Sequence, residues 1–154
     1  MDRPRIIGIG NPSRCDDGVG PWLAGQLAGR LGPQAQVLTL GNDGLSLLDA
    51  FRGAQEVLLL DAVQSGAPAG TVHRLDAAAA PLPPDWLRCS THLLGASEAV
   101  ELARALGDLP EKLTVYGIEG ADFGLGEGLS TPVAVAAAAL VEEIIRQYTQ
   151  ASHA

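Results

Sequence analysis

The chain has 154 residues, a length suited to one domain by the usual ~100–200 residues per domain. Hydrophobic residues make up 47% and charged residues 18%, an ordinary globular balance with no bias toward disorder. The formal charge of −8 and the 4% aromatic content oppose a nucleic-acid partner, which needs basic phosphate contacts and base-stacking side chains.

Arg5 to Gly10 reads as a buried strand ending in glycine, and Asn11 to Gly18 as a polar loop. Gly20 to Leu31 is helix-like, with Trp22, Leu23, Leu27 and Leu31 on roughly one face and Gly32-Pro33 as its stop. Gln36 to Leu40 is a second strand, Gly41 to Gly44 a turn, and Leu45 to Phe51 a short helix. Glu56 to Asp61 holds four consecutive aliphatics before a carboxylate, the pattern of a strand covered on both faces.

Thr71 to Leu75 reads as an edge-like strand, and Ala77 to Asp85 as a surface loop rich in Ala and Pro. Thr91 to Leu106 is an amphipathic helix with Val100, Ala103 and Leu106 inward. Leu113 to Ile118 is the last strand, and Gly120 to Gly128 a glycine-rich loop. Ser130-Thr131-Pro132 carries an N-cap signature with proline at the first helical position. The helix that follows carries Val133, Leu140, Val141, Ile144, Ile145 and Tyr148. Strands alternate with helices, so the fold class is α/β with a mostly parallel sheet, and one domain is expected over residues 1–154.

Two cysteines, Cys15 and Cys89, make no disulfide framework. The N-terminus carries no signal-peptide pattern, and the longest helix-like apolar run, Pro132 to Val141, is about half a membrane span. A cytoplasmic protein without membrane insertion is expected.

Ligands of open parallel sheets bind beyond the carboxyl ends of the strands. Asn11, Arg14, Asp16 and Asp17 follow the first strand, Asp61 ends the third, Ser90, Thr91 and His92 precede a helix, and Glu119 ends the last strand. In strand order 2-1-3 the Asp17 loop would approach Asp61. With a neutral His92 they would form an O,O,N site suited to zinc, nickel or manganese. The competing reading makes Asp61 a helix or loop cap, Asp16 and Asp17 acids at a helix N-terminus, and His92 structural. Gly8-Ile-Gly10 resembles a dinucleotide fingerprint, but Ser13 replaces its third glycine and the second strand ends without an acid. A Cys15–His92 nucleophile–base pair and the Cys89-x-x-His92 spacing are weaker still.

Gly8, Gly10, Asn11, Asp16, Asp17, Gly18 and Gly20 reproduce the G-x-G-N-x-x-x-x-D-[DE]-G-x-G run of the hydrogenase maturation proteases, and the chain resembles that family. The likeness continues at Val57 to Ala62, Ser90 to Gly95, Leu106 to Pro110, Val115 to Glu119 and Gly128 to Pro132. The resemblance implies a twisted five-stranded sheet between helices. It implies an aspartic-type endopeptidase that trims the C-terminus of a nickel–iron hydrogenase large-subunit precursor. It places catalytic and metal-contacting roles on Asp17, Asp61 and His92. It further implies that nickel already inserted in the precursor meets those residues; an enzyme with no metal of its own and a monomer are expected.

Three departures stand out. The second strand runs into Thr39-Leu-Gly-Asn-Asp-Gly44 instead of an acid and D-G-G-T, Cys15 replaces a common glycine, and Asp17 replaces the glutamate of some relatives. Water activation falls to the nickel or to one of Asp16, Asp17 and Asp61. The alternatives are a peptidyl-tRNA hydrolase, which shares G-x-G-N-P but needs a histidine well before His73, and a non-catalytic nickel-sensing hydrogenase chaperone.

Overall fold

The computed structural model describes residues 3–83, 86 and 94–152. Five strands form one sheet: β1 (Arg5–Ile9), β2 (Gln36–Leu40), β3 (Glu56–Val63), β4 (Val72–Asp76) and β5 (Lys112–Glu119). Their order is β2-β1-β3-β5-β4. β4 runs antiparallel to β5, and the other pairings are parallel. The expected order 2-1-3 and the edge strand are both present.

Among the described residues four α-helices cover the sheet: α1 (Val19–Leu31), α2 (Gly44–Phe51), α3 (Ala96–Leu106) and α4 (Thr131–Ser152). Side chains alternate across a strand. Val57, Leu59 and Val63 of β3 therefore pack with Phe51 of α2 and Val100 of α3. Leu58, Leu60 and Ala62 pack with Leu23 of α1 and Leu140 of α4. Two cores thus lie on opposite faces, giving helix, sheet and helix layers.

The α1 layer sits close because two glycines meet. A Cβ on Gly20 would collide with the Ile9 carbonyl and come within 2.6 Å of the Leu60 carbonyl, and one on Gly8 would strike the Gly20 carbonyl. The first turn of α1 is thereby seated on the ends of β1 and β3. At the far end of α3, Gly107 takes a left-handed φ of +77° and its N–H closes on the Ala103 carbonyl, which stops the helix.

Several expectations are corrected. β3 continues two residues past Asp61 because Ala62 and Val63 extend the apolar run. The loop after β1 contains a short 3-10 turn at Cys15–Gly18. Leu106 is 62% exposed instead of inward, and Trp22 is 37% exposed while Leu23 and Leu27 on its helix are buried. α3 begins at Ala96; the expected start at Thr91 lies outside the described residues. α4 begins at Thr131, so Pro132 stands second, and the Ser130 carbonyl accepts the first helical bond from Ala134 N–H at 2.9 Å.

Candidate active site

The crossovers reverse direction between β1 and β3, the switch point beyond which ligands of such sheets bind. Asp17 arrives there on the 3-10 turn and is 2% exposed. Its Oδ2 accepts a hydrogen bond from the Asn11 N–H at 2.9 Å and from Asn42 Nδ2 at 3.0 Å. The carboxylate is therefore held by the loops that leave β1 and β2. Asn42 stands just before α2, on the α2/α3 side of the sheet.

Asp61 is 1% exposed and lies within β3. The two-residue period puts it on the α2/α3 face with Leu59 and Val63. Its Oδ1 accepts the N–H of its own successor, Ala62, at 2.7 Å. Across the sheet Asp61 pairs with Gly117 of β5, and Gly117 pairs with His73 of β4. A Cβ on Gly117 would come 3.0 Å from the Trp86 indole and collide with Val63. The indole fills that gap and meets the His73 ring nearly edge-on, with centroids 5.4 Å apart and planes at 78°.

The structure thus brings two of the three expected site residues, Asp17 and Asp61, to one edge and one side of the sheet. His92, together with Cys89, Ser90 and Thr91, lies outside the described residues. Leu94 beyond it is anchored on the same side, its carbonyl accepting the Gly44 N–H at 2.9 Å. Among the described residues, no three His, Cys, Asp or Glu side chains form a metal cage by themselves.

Asp16 turns out to be a clamp. It is fully buried. It accepts N–H groups of Ala121 at 2.8 Å, Asp122 at 2.9 Å and Ser130 at 2.7 Å, and the Ser130 hydroxyl at 2.8 Å. Burial pushes its pKa up, but these four donors outweigh burial and hold the carboxyl below its ordinary value. Four donors leave its lone pairs committed, so it is a poor general base. Cys15 beside it has a left-handed φ of +49°, a region where glycine is the ordinary residue.

Glu119 has the same character at the end of β5. It accepts Ser65 N–H at 2.8 Å, Ser65 Oγ at 2.6 Å and Gly66 N–H at 3.3 Å, with His73 Nε2 3.2 Å away. Burial raises its pKa and these partners pull it below the usual range. Asp43 N-caps α2 by accepting the Leu45 N–H at 3.0 Å. Strand-end position had marked Asp16 and Glu119 together with Asp17 and Asp61. Asp16 and Glu119 are clamps because each binds backbone donors from a distant segment. Asn42 and the Trp86–Gly117 contact were missed; an amide in the turn after the second strand was the available signal for Asn42.

A doubly wound sheet with two buried carboxylates at its switch point defines an α/β domain with its candidate site at the strand ends. Comparison with known proteins makes this specific. The family model for hydrogenase maturation protease matches residues 23–147, and the chain belongs to that family. The hydrogenase expression/formation protein HupD of Thiocapsa roseopersicina is 32% identical over 124 residues, covering 77% of this chain and 56% of its own. The hydrogenase expression/formation protein HoxM of Cupriavidus necator is 30% identical over 115 residues, covering 73% of this chain and 57% of its own. The chain therefore spans a little over half the length of these curated relatives.

Among solved structures, the hydrogenase maturating endopeptidase HybD from E. coli superposes with a TM-score of 0.79 at 22% identity, over 97% of this chain and 94% of its own. The [NiFe] hydrogenase maturation protease HycI from Thermococcus kodakarensis KOD1 gives 0.75 at 25% identity, over 96% and 92%. The first of these likenesses bears on the fold alone. The family membership sets the peptidyl-tRNA hydrolase alternative aside.

Proposed function

We propose that this chain is an endopeptidase that removes a C-terminal extension from a nickel-loaded hydrogenase large-subunit precursor in the cytoplasm. The observation that carries the reading is the pair of buried carboxylates, Asp17 and Asp61, at the switch point of a sheet belonging to this family. In this reading Asp17, Asp61 and His92 contact the nickel of the substrate, and the enzyme holds no metal of its own. Two carboxylates and one imidazole suit nickel and leave coordination positions for the precursor's ligands.

Differential affinity for the loaded precursor then acts as a checkpoint: docking is productive only when nickel is in place. Attack on the scissile carbonyl needs an activated water. The nickel polarises that water or the carbonyl, or a carboxylate takes the proton. The clamp role of Asp16 removes it from the second route and leaves Asp17 and Asp61, an aspartic-type assignment. Incubation with nickel-loaded and metal-free precursor, read by intact mass, tests the proposal. A shortened product from the loaded form alone supports it; no shortened product leaves a nickel-sensing chaperone, and equal cleavage of both forms refutes the checkpoint.

A further inference from the structure

Asp61 stands among apolar neighbours on the α2/α3 face of the sheet. Leu59 and Val63 precede and follow it on that face. Gly8 pairs with Leu60, so the same register brings Ile9 of β1 to one side of Asp61. On its other side stands Gly117 of β5, which offers no side chain. The space a side chain at 117 would take is filled from outside the sheet: a Cβ there would lie 3.0 Å from Cη2 and 3.3 Å from Cζ2 of Trp86. We propose that Trp86 is a positioning residue for the reaction: its indole, propped by His73, closes the β5 flank of Asp61 to water, so that the carboxylate charge acts undamped on the cationic centre of the substrate. The inference rests on the endopeptidase reading, in which that centre is nickel, and adds the residues that act through Asp61.

Three observations carry it. First, Asp61, Gly117 and His73 form one row across β3, β5 and β4. Neighbouring strands lie about 4.8 Å apart and paired residues point to the same face. The indole edge over Gly117 therefore stands in the row between Asp61 and His73. Second, the indole is held in place. It meets the His73 ring at 78° with centroids 5.4 Å apart, a favourable edge-to-face arrangement. His73 Nε2 lies 3.2 Å from Glu119 Oε1, and Glu119 is itself fixed by Ser65 and Gly66. The Trp86 N–H donates to the Pro83 carbonyl at 3.2 Å.

Third, the surroundings of the carboxylate are dry. Asp61 is 1% exposed and Trp86 6%, and Ile9, Leu59 and Val63 are buried in the same core. Excluding water strengthens every electrostatic contact a charge makes. The apolar shell around a metal-contacting group controls solvent access and local dielectric.

The test compares Trp86→Phe, Trp86→Leu and His73→Ala with the wild type, and takes Leu106→Ser at the exposed end of α3 as a control. Phenylalanine keeps an aromatic ring but withdraws the atoms that reach Gly117; where Trp86→Leu does not fold, Trp86→Phe decides. Nickel-loaded and metal-free precursor are each mixed with enzyme in single-turnover experiments, which give Kd from the binding phase and the cleavage rate from the product phase. The readout is the ratio of the metal-free Kd to the loaded Kd. Expected is a ratio lower by roughly tenfold in the Trp86 variants, as for loss of a supporting group behind a metal ligand. His73→Ala lowers it in the same direction, the metal-free Kd stays unchanged throughout, and the control keeps the wild-type ratio. A wild-type ratio in the folded Trp86 variants overturns the inference. So does equal weakening toward both precursors, which makes Trp86 a core filler alone. A wild type that binds both precursors equally refutes the nickel checkpoint and the inference with it. A wild type that prefers the loaded form without cleaving it refutes the endopeptidase reading, and the ratios still decide the role of Trp86.

Discussion

The Asp16 carboxylate and Ser130 are joined twice, by the Ser130 N–H at 2.7 Å and its hydroxyl at 2.8 Å, across 114 residues of chain. One residue further on, the Asp17 carboxylate is bound instead by Asn11 and Asn42. Two adjacent aspartates are thereby divided: Asp16 ties its loop to the segment before α4, and Asp17 is held by the turns after β1 and β2. Asp16→Asn removes the charge and turns an N–H₂ toward N–H donors. It should cost about 2–3 kcal/mol, the price of leaving buried donors without an acceptor. Ser130→Ala should cost about 1 kcal/mol. Urea denaturation measures both; equal, negligible losses would contradict the clamp.

The same clamps set an acid limit. Asp16 and Glu119 both have folded pKa values below their ordinary ones. A group depressed in the folded state contributes stability that is fully present above its unfolded pKa, near ~3.9 for Asp and ~4.3 for Glu, and is lost as pH falls through the folded value. Thermal melting should therefore be insensitive to these groups near neutrality and fall below about pH 4. Asp16→Asn and Glu119→Gln should each flatten that fall. An acid limb of unchanged steepness in both variants would count against the assignment.

The seat of α1 on the sheet depends on Gly20. Any side chain there meets the backbone carbonyls of Ile9 and Leu60, neither of which can move without breaking the β1–β3 pairing. Gly20→Ala should destabilise by roughly 3 kcal/mol or more, an overpacking cost at the upper end for one methyl group. Gly25→Ala on the same helix, where nothing lies within 4 Å, should be neutral or slightly stabilising. Matched melting temperatures for the two variants would contradict the close approach.

Asn42 orients Asp17 through its side-chain amide. On the proposed reading, in which Asp17 contacts the substrate's nickel, Asn42→Ala should lower precursor processing roughly tenfold, as loss of a partner behind a metal ligand does. The melting temperature should change little, because Asn42 lies in a loop. Processing at the wild-type rate would remove Asn42 from the site.

Much of this architecture is local and was legible. The apolar run before Asp61 announced a strand covered on both faces, and Gly32 after Leu31 announced the end of α1. Strand-end reasoning also brought Asp17 to the neighbourhood of Asp61. What stayed hidden depends on contacts distant in sequence. Asp16 finds its donors more than a hundred residues away, and no local pattern distinguishes it from Asp17. Trp86 reaches Gly117 only because β5 pairs between β3 and β4. Leu106 continued the inward helical spacing, yet α3 ends there and leaves the side chain in solvent.

The central claim is that the Asp61 charge serves the reaction and not the fold. Asp61→Asn keeps a side-chain oxygen for the Ala62 N–H, removes the negative charge and puts an amide NH2 in place of the second oxygen. The direct test is intact mass spectrometry of nickel-loaded precursor incubated with this variant, beside His92→Ala and the wild type. The account predicts that the wild type yields the shortened subunit while both variants, folded and stable, leave the precursor at full length. Processing by Asp61→Asn at the wild-type rate would contradict it.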